Sequence, residues 1–467
     1  MSEAIDQALR EATETRAIEF GPGAVHRAGA MFARLFPGKR AQIVADENTF
    51  GAAGAAVGHS LREAGVPMGD PYVFPGRPTL YGDDTEVEKL REFLRPRADA
   101  AVCSIGSGTL NDIAKLAAAE LGRSYMHVCT AASVDGYTAY GASISRDGFK
   151  ITRPCPAPAG LVADTDIMAA APQRLTSTGY GDLIEKIPAG ADWILADELG
   201  IEPIVAPVWE LVQGPLRETL SQPRRVGRAD PQAVAALAQG NIMSGLAMQA
   251  LRSSRSASGA GHQFSHVWEM EGHGLDWEPP LSHGFKVGVG TVASCALWQE
   301  ALALDVGSID VDARVARAPS DAEVEERVRM LLQPRIAGES VPHAVGKNLR
   351  GDRLRERIQV IRDHWEAITA RCAPQLLTPD EAAEHLREAG APSHPEAIRI
   401  EWDRFRLTHF KAQMIRPRYT VLDLLADLGE LTAVVNRLFG PAGYWGRHRH
   451  PEAAEGIPSA GVAGGRP

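Results

Sequence analysis

The first third of the chain alternates short apolar runs with helical stretches, and no other feature of the sequence restricts the fold as strongly. Strands are predicted within four segments: AQIVADENTF (41–50), with its strand ending at Asp46, ADAAVCSIGSG (98–108), SYMHVCTAAS (124–133) and GLVADTDIM (160–168). Strands that alternate with helices form parallel sheets, which bind ligands at the carboxyl ends of their strands. The sequence therefore predicts an α/β domain over residues 1–168.

Beyond about residue 170 the pattern becomes helical, with almost no strand signal. Apolar residues at three- and four-residue spacing predict a long core helix in 229–254, and an amphipathic surface helix is predicted in 351–372. Thr378 and Glu381 form the capping-box pattern that begins a helix. We expect an all-helical domain over residues 169–446 and a disordered tail over 447–467, which is rich in Gly, Pro and Ala.

The composition argues against several classes of protein. A net charge of −10 provides no basic field, so nucleic acid and anionic membrane surfaces are not expected as partners. Five scattered cysteines without a Cys-x-x-Cys pair argue against a disulfide framework and indicate a reducing cytosol. The N-terminus lacks a signal-peptide pattern, and no apolar run approaches the roughly 20 residues that span a bilayer. We expect a soluble cytoplasmic protein without membrane insertion.

A glycine-rich bend follows the second predicted strand, in VCSIGSGTLNDIAKLAAA (102–119). Gly106 and Gly108 allow a sharp turn, so that amides at the start of the following helix face a pyrophosphate. Asn111 stands where the usual dinucleotide motif has its third glycine. From these residues alone, a tight turn without a ligand remains an open alternative.

A run of small residues surrounds one carboxylate in TAASVDGYTAYGASIS (130–145). Small side chains permit close approach of a flat ligand, and Asp135 is placed to accept hydrogen bonds from hydroxyl groups. The alternative is a surface loop rich in Ser, Thr and Gly.

The strongest candidates for chemistry lie in the predicted helical domain. Asp182 is predicted near the start of a helix, His262 and His266 lie four residues apart on one helical face, and His283 opens another helical run. One carboxylate and two imidazoles are typical of a catalytic metal site with an open position. Spacing does not decide between His262 and His266, and structural histidines are the alternative.

Seven stretches taken in order resemble the sn-glycerol-1-phosphate dehydrogenase family, within the superfamily of iron-type alcohol dehydrogenases and dehydroquinate synthase. They are GSGTLNDIAK, TAASVDGYTAYGAS, DGFKITRPCPAP, ADTDIM, GYGDLIEK, GHQFSHVWE and HGFKVGVGT, which together cover roughly residues 40–295. The resemblance implies a nucleotide-binding α/β domain, an all-helical domain and an active site in the cleft between them.

The resemblance also assigns roles to residues at matching positions. The cofactor would contact Asp46, Gly106, Ser107, Gly108, Thr109, Leu110, Thr130, Ala131, Ala132 and Ser133. The metal ligands would be Asp182, His262 and His283; the catalytic residues would be His266 and Asp135, and Asp135, Asp182 and His266 would face the substrate.

The implied reaction is the reversible reduction of dihydroxyacetone phosphate, a phosphorylated triose, to sn-glycerol 1-phosphate in phospholipid metabolism. The implied cofactors are NAD or NADP and one divalent metal ion, with zinc favoured over nickel or iron, and the implied assembly is a homodimer. A carboxylate at the position of Asp46 favours NAD. The substrate phosphate needs cationic partners, for which Lys186, Lys286, Arg252 and Arg255 are candidates or else solvated surface charges.

Three other functions remain open on the sequence. The first two are a dehydroquinate-synthase-like cyclase, in which the first metal ligand is typically glutamate rather than the Asp182 found here, and a polyol or glycerol dehydrogenase. The third is a catalytically inactive ligand-binding protein of the same fold. The chain departs from the family pattern at Ala139, at Ala260 and Gly261 before His262, and at Phe285 and Lys286 after His283, and these departures leave the substrate open.

Overall fold

The computed structural model describes residues 3–12, 14–146 and 149–449, so most of the predicted tail lies outside the described residues. Its strands are β1 (Ala17–Gly21), β2 (Arg40–Asp46), β3 (Tyr72–Phe74), β4 (Ala100–Gly106), β5 (Tyr125–Cys129), β6 (Ala142–Arg146), β7 (Phe149–Arg153) and β8 (Gly160–Asp164). The helices of this half are α1 (Glu3–Glu11), α2 (Ala28–Leu35), α3 (Glu47–Thr49), α4 (Ala55–Glu63), α5 (Asp84–Leu94), α6 (Gly108–Glu120) and α7 (Thr165–Ala169).

Six strands form one parallel sheet in the order β1-β8-β5-β4-β2-β3, while β6 and β7 form a separate antiparallel hairpin. One apolar cluster, which includes residues of α2 and α4, covers one face of the sheet, and a second, which includes residues of α5 and α6, covers the other. Because both faces are covered, β4, β5 and β8 are buried at every position and are mostly apolar, without an alternation of polar and apolar residues. The predicted α/β class and all four predicted strands are confirmed.

The strand order changes direction beside β2, which lies between β3 and β4. Chain segments leaving β2 and β4 therefore diverge and open a crevice at the carboxyl edge of the sheet, where open α/β sheets bind ligands. Asp46, Gly106 and Cys129 end the strands β2, β4 and β5 at this edge.

The rest of the described chain is helical. The helices are α8 (Gln173–Leu183), α9 (Lys186–Glu198), α10 (Ala206–Thr219), α11 (Pro223–Gly227), α12 (Pro231–Leu251), α13 (Ala260–Met270), α14 (His283–Leu302), α15 (Val311–Ala316), α16 (Asp321–Leu331), α17 (Pro334–Lys347), α18 (Gly351–Gln375), α19 (Pro379–Glu388), α20 (Trp402–Met414), α21 (Val421–Leu428), α22 (Leu431–Phe439) and α23 (Tyr444–Arg447). Short 3₁₀ and π segments connect some of them. Among the described helices, none has the length and apolar character needed to cross a membrane.

The long core helix predicted in 229–254 is α12, and the surface helix predicted in 351–372 is α18. Thr378 caps α19 and forms the predicted capping box with Glu381. The proposed boundary between residues 168 and 169 lies inside α7, and the proposed boundary at 446 lies inside α23.

The two halves are held in close contact by glycines on helices of the second half. A Cβ atom at Gly179 of α8 would collide with the carbonyl oxygen of Ala132, and one at Gly245 of α12 would collide with that of Asp135. The hydroxyl of Thr138 also donates to the carbonyl of Ile242 on α12, at 2.9 Å. The loop after β5 is therefore packed directly onto the backbone of α8 and α12.

Candidate active site

A cavity of about 2260 Å³ lies between the carboxyl edge of the sheet and the helical half. Its wall includes Ser107 and Thr130 from the sheet half, and His262 and His283 from the helical half. The cavity therefore brings the predicted cofactor-binding segments and the predicted metal ligands to one place.

The glycine-rich bend between β4 and α6 has no room for larger residues. A Cβ at Gly106 would lie 2.6 Å from the Leu110 side chain, and one at Gly108 would lie 2.7 Å from Val134. Ser107, at the N-cap of α6, makes no side-chain capping bond, although Ser107 and Leu110 line the cavity. An uncapped helix N-terminus with unsatisfied amides fits a phosphate group.

Asn111, which replaces the third glycine of the usual motif, is a buried structural residue. Its amide group donates to the carbonyl of Gly136 at 3.3 Å, and its oxygen accepts from the hydroxyl of Tyr125 at 2.8 Å. Lys115, one helical turn further, donates to the carbonyls of Gly136, Ala139 and Gly141 at 2.9–3.1 Å. Sequence reasoning missed Lys115, which fixes the loop that carries Asp135.

The predicted cofactor segment 130–133 is only partly exposed to the cavity. Thr130 and Ser133 line it, whereas the side chains of Ala131 and Ala132 are buried and do not. The hydroxyl of Tyr137 donates to the carbonyl of Ala131 at 2.7 Å and so holds the segment against the protein.

Asp46 lines the cavity at the end of β2. Its Oδ1 atom accepts hydrogen bonds from the amides of Asn48 and Thr49, at 2.8 and 2.9 Å, and forms a capping box with Thr49. The carboxylate is therefore fixed in orientation at the edge of the cavity.

Asp182, His262 and His283 lie together in the helical wall of the cavity. One potential ligand atom from each lies within 4.8 Å of the others. The expected position of Asp182 near the start of a helix is wrong: it lies one residue before the end of α8, because α8 continues to Leu183 and only two residues separate it from α9. His262 lies on α13 and His283 is the first residue of α14, as predicted.

Two glutamates, which sequence reasoning missed, orient the histidines. Glu185 lies 2.6 Å from Nδ1 of His262, and Glu269 lies 2.8 Å from Nδ1 of His283. Nδ1 of each ring is thereby engaged, which leaves Nε2 to face the shared centre. Carboxylates behind ligating imidazoles are the usual outer shell of a metal site. One carboxylate and two oriented imidazole nitrogens therefore fit zinc, nickel or ferrous iron.

Asp135 and Lys186 join the two halves of the site. Nζ of Lys186 lies 2.9 Å from Asp135 Oδ2 and 2.9 Å from Asp182 Oδ1, and all three side chains are buried. Ser244 of α12 also donates to Asp135 Oδ2 at 2.9 Å, while the Asp135 amide donates to Asp182 at 3.2 Å. Lys186 is therefore not a surface charge, and Asp135 is not part of a surface loop.

This ion cluster shifts the pKa values of its members. Burial alone would raise the pKa of Asp182, but the charge of Lys186 and a hydrogen bond from His262 hold it well below its usual range. Burial works against the charge on His262, yet Glu185 and Asp182 raise the pKa of His262 to about 9. The cluster thus favours an ionised aspartate beside positive charge.

His266 lines the cavity but is not part of the three-residue cluster. Its ring centre lies 6.0 Å from that of His262 and 6.3 Å from that of His283. Its Nδ1 is buried without a hydrogen-bond partner among the described residues. Burial, followed by the nearby charge of Arg416, lowers the pKa of His266 well below its usual range, so the ring is neutral at pH 7.

The candidate phosphate-binding cations differ in position. Arg252 and Lys286 line the cavity, whereas Lys186 and Arg255 do not. Arg255 is buried and donates to the carbonyls of Tyr419 and Asp192. Arg416, which also lines the cavity, was missed because it lies more than 100 residues beyond the recognised motifs.

Comparison with known proteins agrees with this geometry. Residues 19–172 match the family described as iron-containing alcohol dehydrogenase. The chain is 32% identical over 284 residues to a glycerol-1-phosphate dehydrogenase [NAD(P)+] of Halalkalibacterium halodurans, covering 61% of this chain and 69% of the relative. It is 32% identical over 318 residues to one of Methanothrix thermoacetophila, covering 66% and 86%. Some Bacillus and Geobacillus relatives of the same name are covered over 62–65% of their length.

Solved structures share the fold at low sequence identity. Glycerol dehydrogenase from Schizosaccharomyces pombe superposes with a TM-score of 0.58 at 14% identity, covering 96% of each chain. Such a likeness shows that the α/β and helical halves are arranged as in that enzyme class, whereas the sequence relatives carry the family assignment.

Proposed function

The chain belongs to the glycerol-1-phosphate dehydrogenase family, a group of NAD(P)-dependent oxidoreductases, and we propose that it reversibly reduces dihydroxyacetone phosphate to sn-glycerol 1-phosphate with one divalent metal ion. One observation carries this proposal. His262 and His283, which form a cluster with the buried Asp182, line the same cavity as the uncapped start of α6. A metal site and a phosphate site that share one cavity suit hydride transfer to a carbonyl group.

The sheet half would bind the dinucleotide, which supplies the hydride. The amides at the start of α6 are placed for its pyrophosphate, and Thr130 and Ser133 line the adjoining wall. The carboxylate of Asp46 accepts from a ribose hydroxyl and repels a 2′-phosphate, which favours NAD over NADP. Behind this wall, the hydroxyl of Tyr137 holds the carbonyl of Ala131, and the side chains of Ala131, Ala132 and Tyr137 are buried.

The helical half would hold the metal ion through Asp182, His262 and His283. A divalent ion held there would polarise the ketone oxygen and stabilise the negative charge that develops on it. Glu185 and Glu269 keep the two imidazoles in the required orientation. Lys186 keeps Asp182 ionised and holds Asp135 beside it, where Asp135 Oδ1 is available to a substrate hydroxyl.

His266 would move the proton that completes the reduction. Its ring is neutral, so it would act together with a water molecule in the cavity, which supplies the proton to the developing alkoxide. The ring lies one helical turn from His262 and faces the same cavity.

The test is NADH and NADPH oxidation by the purified protein with dihydroxyacetone phosphate, after reconstitution with zinc, nickel or iron. Asp182→Ala should reduce turnover at least about 1000-fold, because it removes a ligand and a buried anion, while dinucleotide affinity should change little. Asp305→Ala, which alters an exposed carboxylate, is the matched control. Normal turnover of Asp182→Ala, or no turnover by the wild type with any metal, would refute the proposal.

A further inference from the structure

Arg416 lies in the short loop between α20 and α21, far in sequence from every recognised motif. Its side chain lines the cavity that His266, Glu269 and His283 also line. The loop therefore brings a positive charge to the cavity wall, close enough to His266 and Glu269 for their charges to interact.

Arg416 differs from the neighbouring arginines in its bonding. Arg418 donates to the carbonyl of Ser258 and the hydroxyl of Ser254, and Arg255 donates to two backbone carbonyls. Those two guanidinium groups stabilise the turn after α12. The guanidinium of Arg416 makes no hydrogen bond, and no ion pair within 4.0 Å, with any residue that the structure describes.

Two carboxylates act on Arg416 without pairing with it. Burial lowers the pKa of Arg416, while the charges of Glu339 and Glu269 raise it. Glu269 is bonded to Nδ1 of His283, so it already has a structural role. The half-buried guanidinium of Arg416 therefore has donor groups that no described protein group uses, and Nδ1 of His266 in the same cavity is also without a partner among the described residues. Buried donors of this kind are normally satisfied, so an anionic ligand is the partner that fits.

We propose that Arg416 binds the phosphate group of the substrate and so makes the site specific for a phosphorylated ketone. The inference rests on the proposed function. Guanidinium binds phosphate through two parallel hydrogen bonds, which adds orientation to charge. Arg252 and Lys286 line the same cavity and add positive charge to it.

The role of Arg416 separates phosphorylated from unphosphorylated substrates. Arg416→Met should raise the KM for dihydroxyacetone phosphate by about 10- to 100-fold, because one charged hydrogen-bonding group is lost. The same variant should leave the kinetics with dihydroxyacetone within about twofold. Arg416→Lys should recover part of the lost affinity, since it retains the charge without the bidentate geometry. Arg353→Met removes an exposed charge on α18 and serves as the control.

Binding measurements separate this inference from the proposed reaction. Isothermal titration of sn-glycerol 1-phosphate into the zinc-loaded, NADH-bound protein reports affinity without turnover, and Arg416→Met should weaken that affinity by the same factor. Zinc content and NADH affinity should be unchanged in the variant, which shows that it is folded. If the wild type fails to reduce dihydroxyacetone phosphate, the proposed function fails. Equal phosphate-ester affinity in wild type and Arg416→Met, or no binding to either, would overturn the role of Arg416.

Discussion

The role of Lys186 in the structure differs clearly from the roles that the sequence suggested for it. In the sequence it is one of several cations near a motif, whereas in the structure it separates two buried carboxylates, Asp135 and Asp182. The two carboxylates come from different halves of the protein. Their mutual repulsion in a low-dielectric site would be severe without the ammonium group between them.

Replacing Lys186 should therefore cost stability as well as activity. Lys186→Met leaves Asp135 and Asp182 without their common cation, and breaking a buried ion pair in this way costs about 3–5 kcal/mol. The measurement is equilibrium urea unfolding in the presence of a chelator. Adding Asp135→Asn to Lys186→Met should recover part of the loss, because it removes one of the unpaired charges. A loss below about 1 kcal/mol in Lys186→Met would show that the cluster is more hydrated than its burial indicates.

At the scale of elements, the position of α8 against the loop after β5 determines whether the site exists. Gly179 brings the backbone of α8 directly onto Ala132, and three residues later the same helix presents Asp182 to the amide of Asp135. A displacement of α8 at Gly179 would therefore separate the proposed metal ligand from the sheet half.

Gly179→Ala should displace α8, because its Cβ meets the backbone carbonyl of Ala132 and cannot be relieved by a side-chain rotation. We expect a loss of about 1–3 kcal/mol of stability and weaker zinc binding, measured by urea unfolding and by metal titration. Gly338→Ala in α17 is the matched control. No atom lies within 4 Å of its added Cβ, so it should stabilise the protein by about 0.5–1 kcal/mol. Unchanged zinc affinity in Gly179→Ala would show that the packing of α8 at Gly179 does not determine the geometry of the proposed metal site.

Elements with a strong local pattern could be predicted, and those set by tertiary contacts could not. The mostly apolar sequences of β2, β4, β5 and β8 predict strands. The strands β1 and β3 were not predicted, because β1 contains a charged residue at the sheet edge and β3 has only three residues. The end of α8 was missed because only Ile184 and Glu185 interrupt the helical pattern before α9.

Only those residues of the candidate site that lie within a recognisable sequence motif could be predicted. Asp182, His262 and His283 lie in recognisable stretches, and the structure places them together. Their orienting partners were not predictable, since Glu269 reads as an ordinary helix residue. Arg416 reaches the cavity from a loop that no local pattern connects to it.

Across the whole molecule, buried titratable groups act on stability in opposite directions. Burial lowers the pKa of His409 to about 4 and of His127 to about 3, so the folded protein resists their protonation. Burial raises the pKa of Asp192 to about 7 and of Asp427 to about 6, so the folded protein favours protonation of these carboxyls. As pH falls, the two histidines therefore lower the free energy of unfolding, whereas the two aspartates raise it. Because these contributions have opposite signs, the pH dependence of the whole protein does not report any one of them.

A variant of His409 isolates one contribution. Its Nδ1 lies 3.0 Å from the carbonyl of Phe405, and its ring packs against Phe264 and Phe439, with Nε2 buried and unpartnered among the described residues. Because the folded pKa is lowered, the stability that neutral His409 provides is present above about pH 6.5 and is lost as pH falls towards 4.

His409→Leu should therefore gain stability relative to the wild type as the solution is acidified. Between pH 7.5 and pH 5 the difference in unfolding free energy should move by about 2 kcal/mol in favour of the variant. The reason is that His409 becomes protonated in the unfolded wild type at pH 5 but stays neutral in the folded wild type. Urea unfolding of both proteins at the two pH values measures it. Phe439→Leu alters the same aromatic cluster without removing a titrating group, so its difference from wild type should be the same at both pH values. A pH-independent difference for His409→Leu would mean that the imidazole is hydrated in the folded protein.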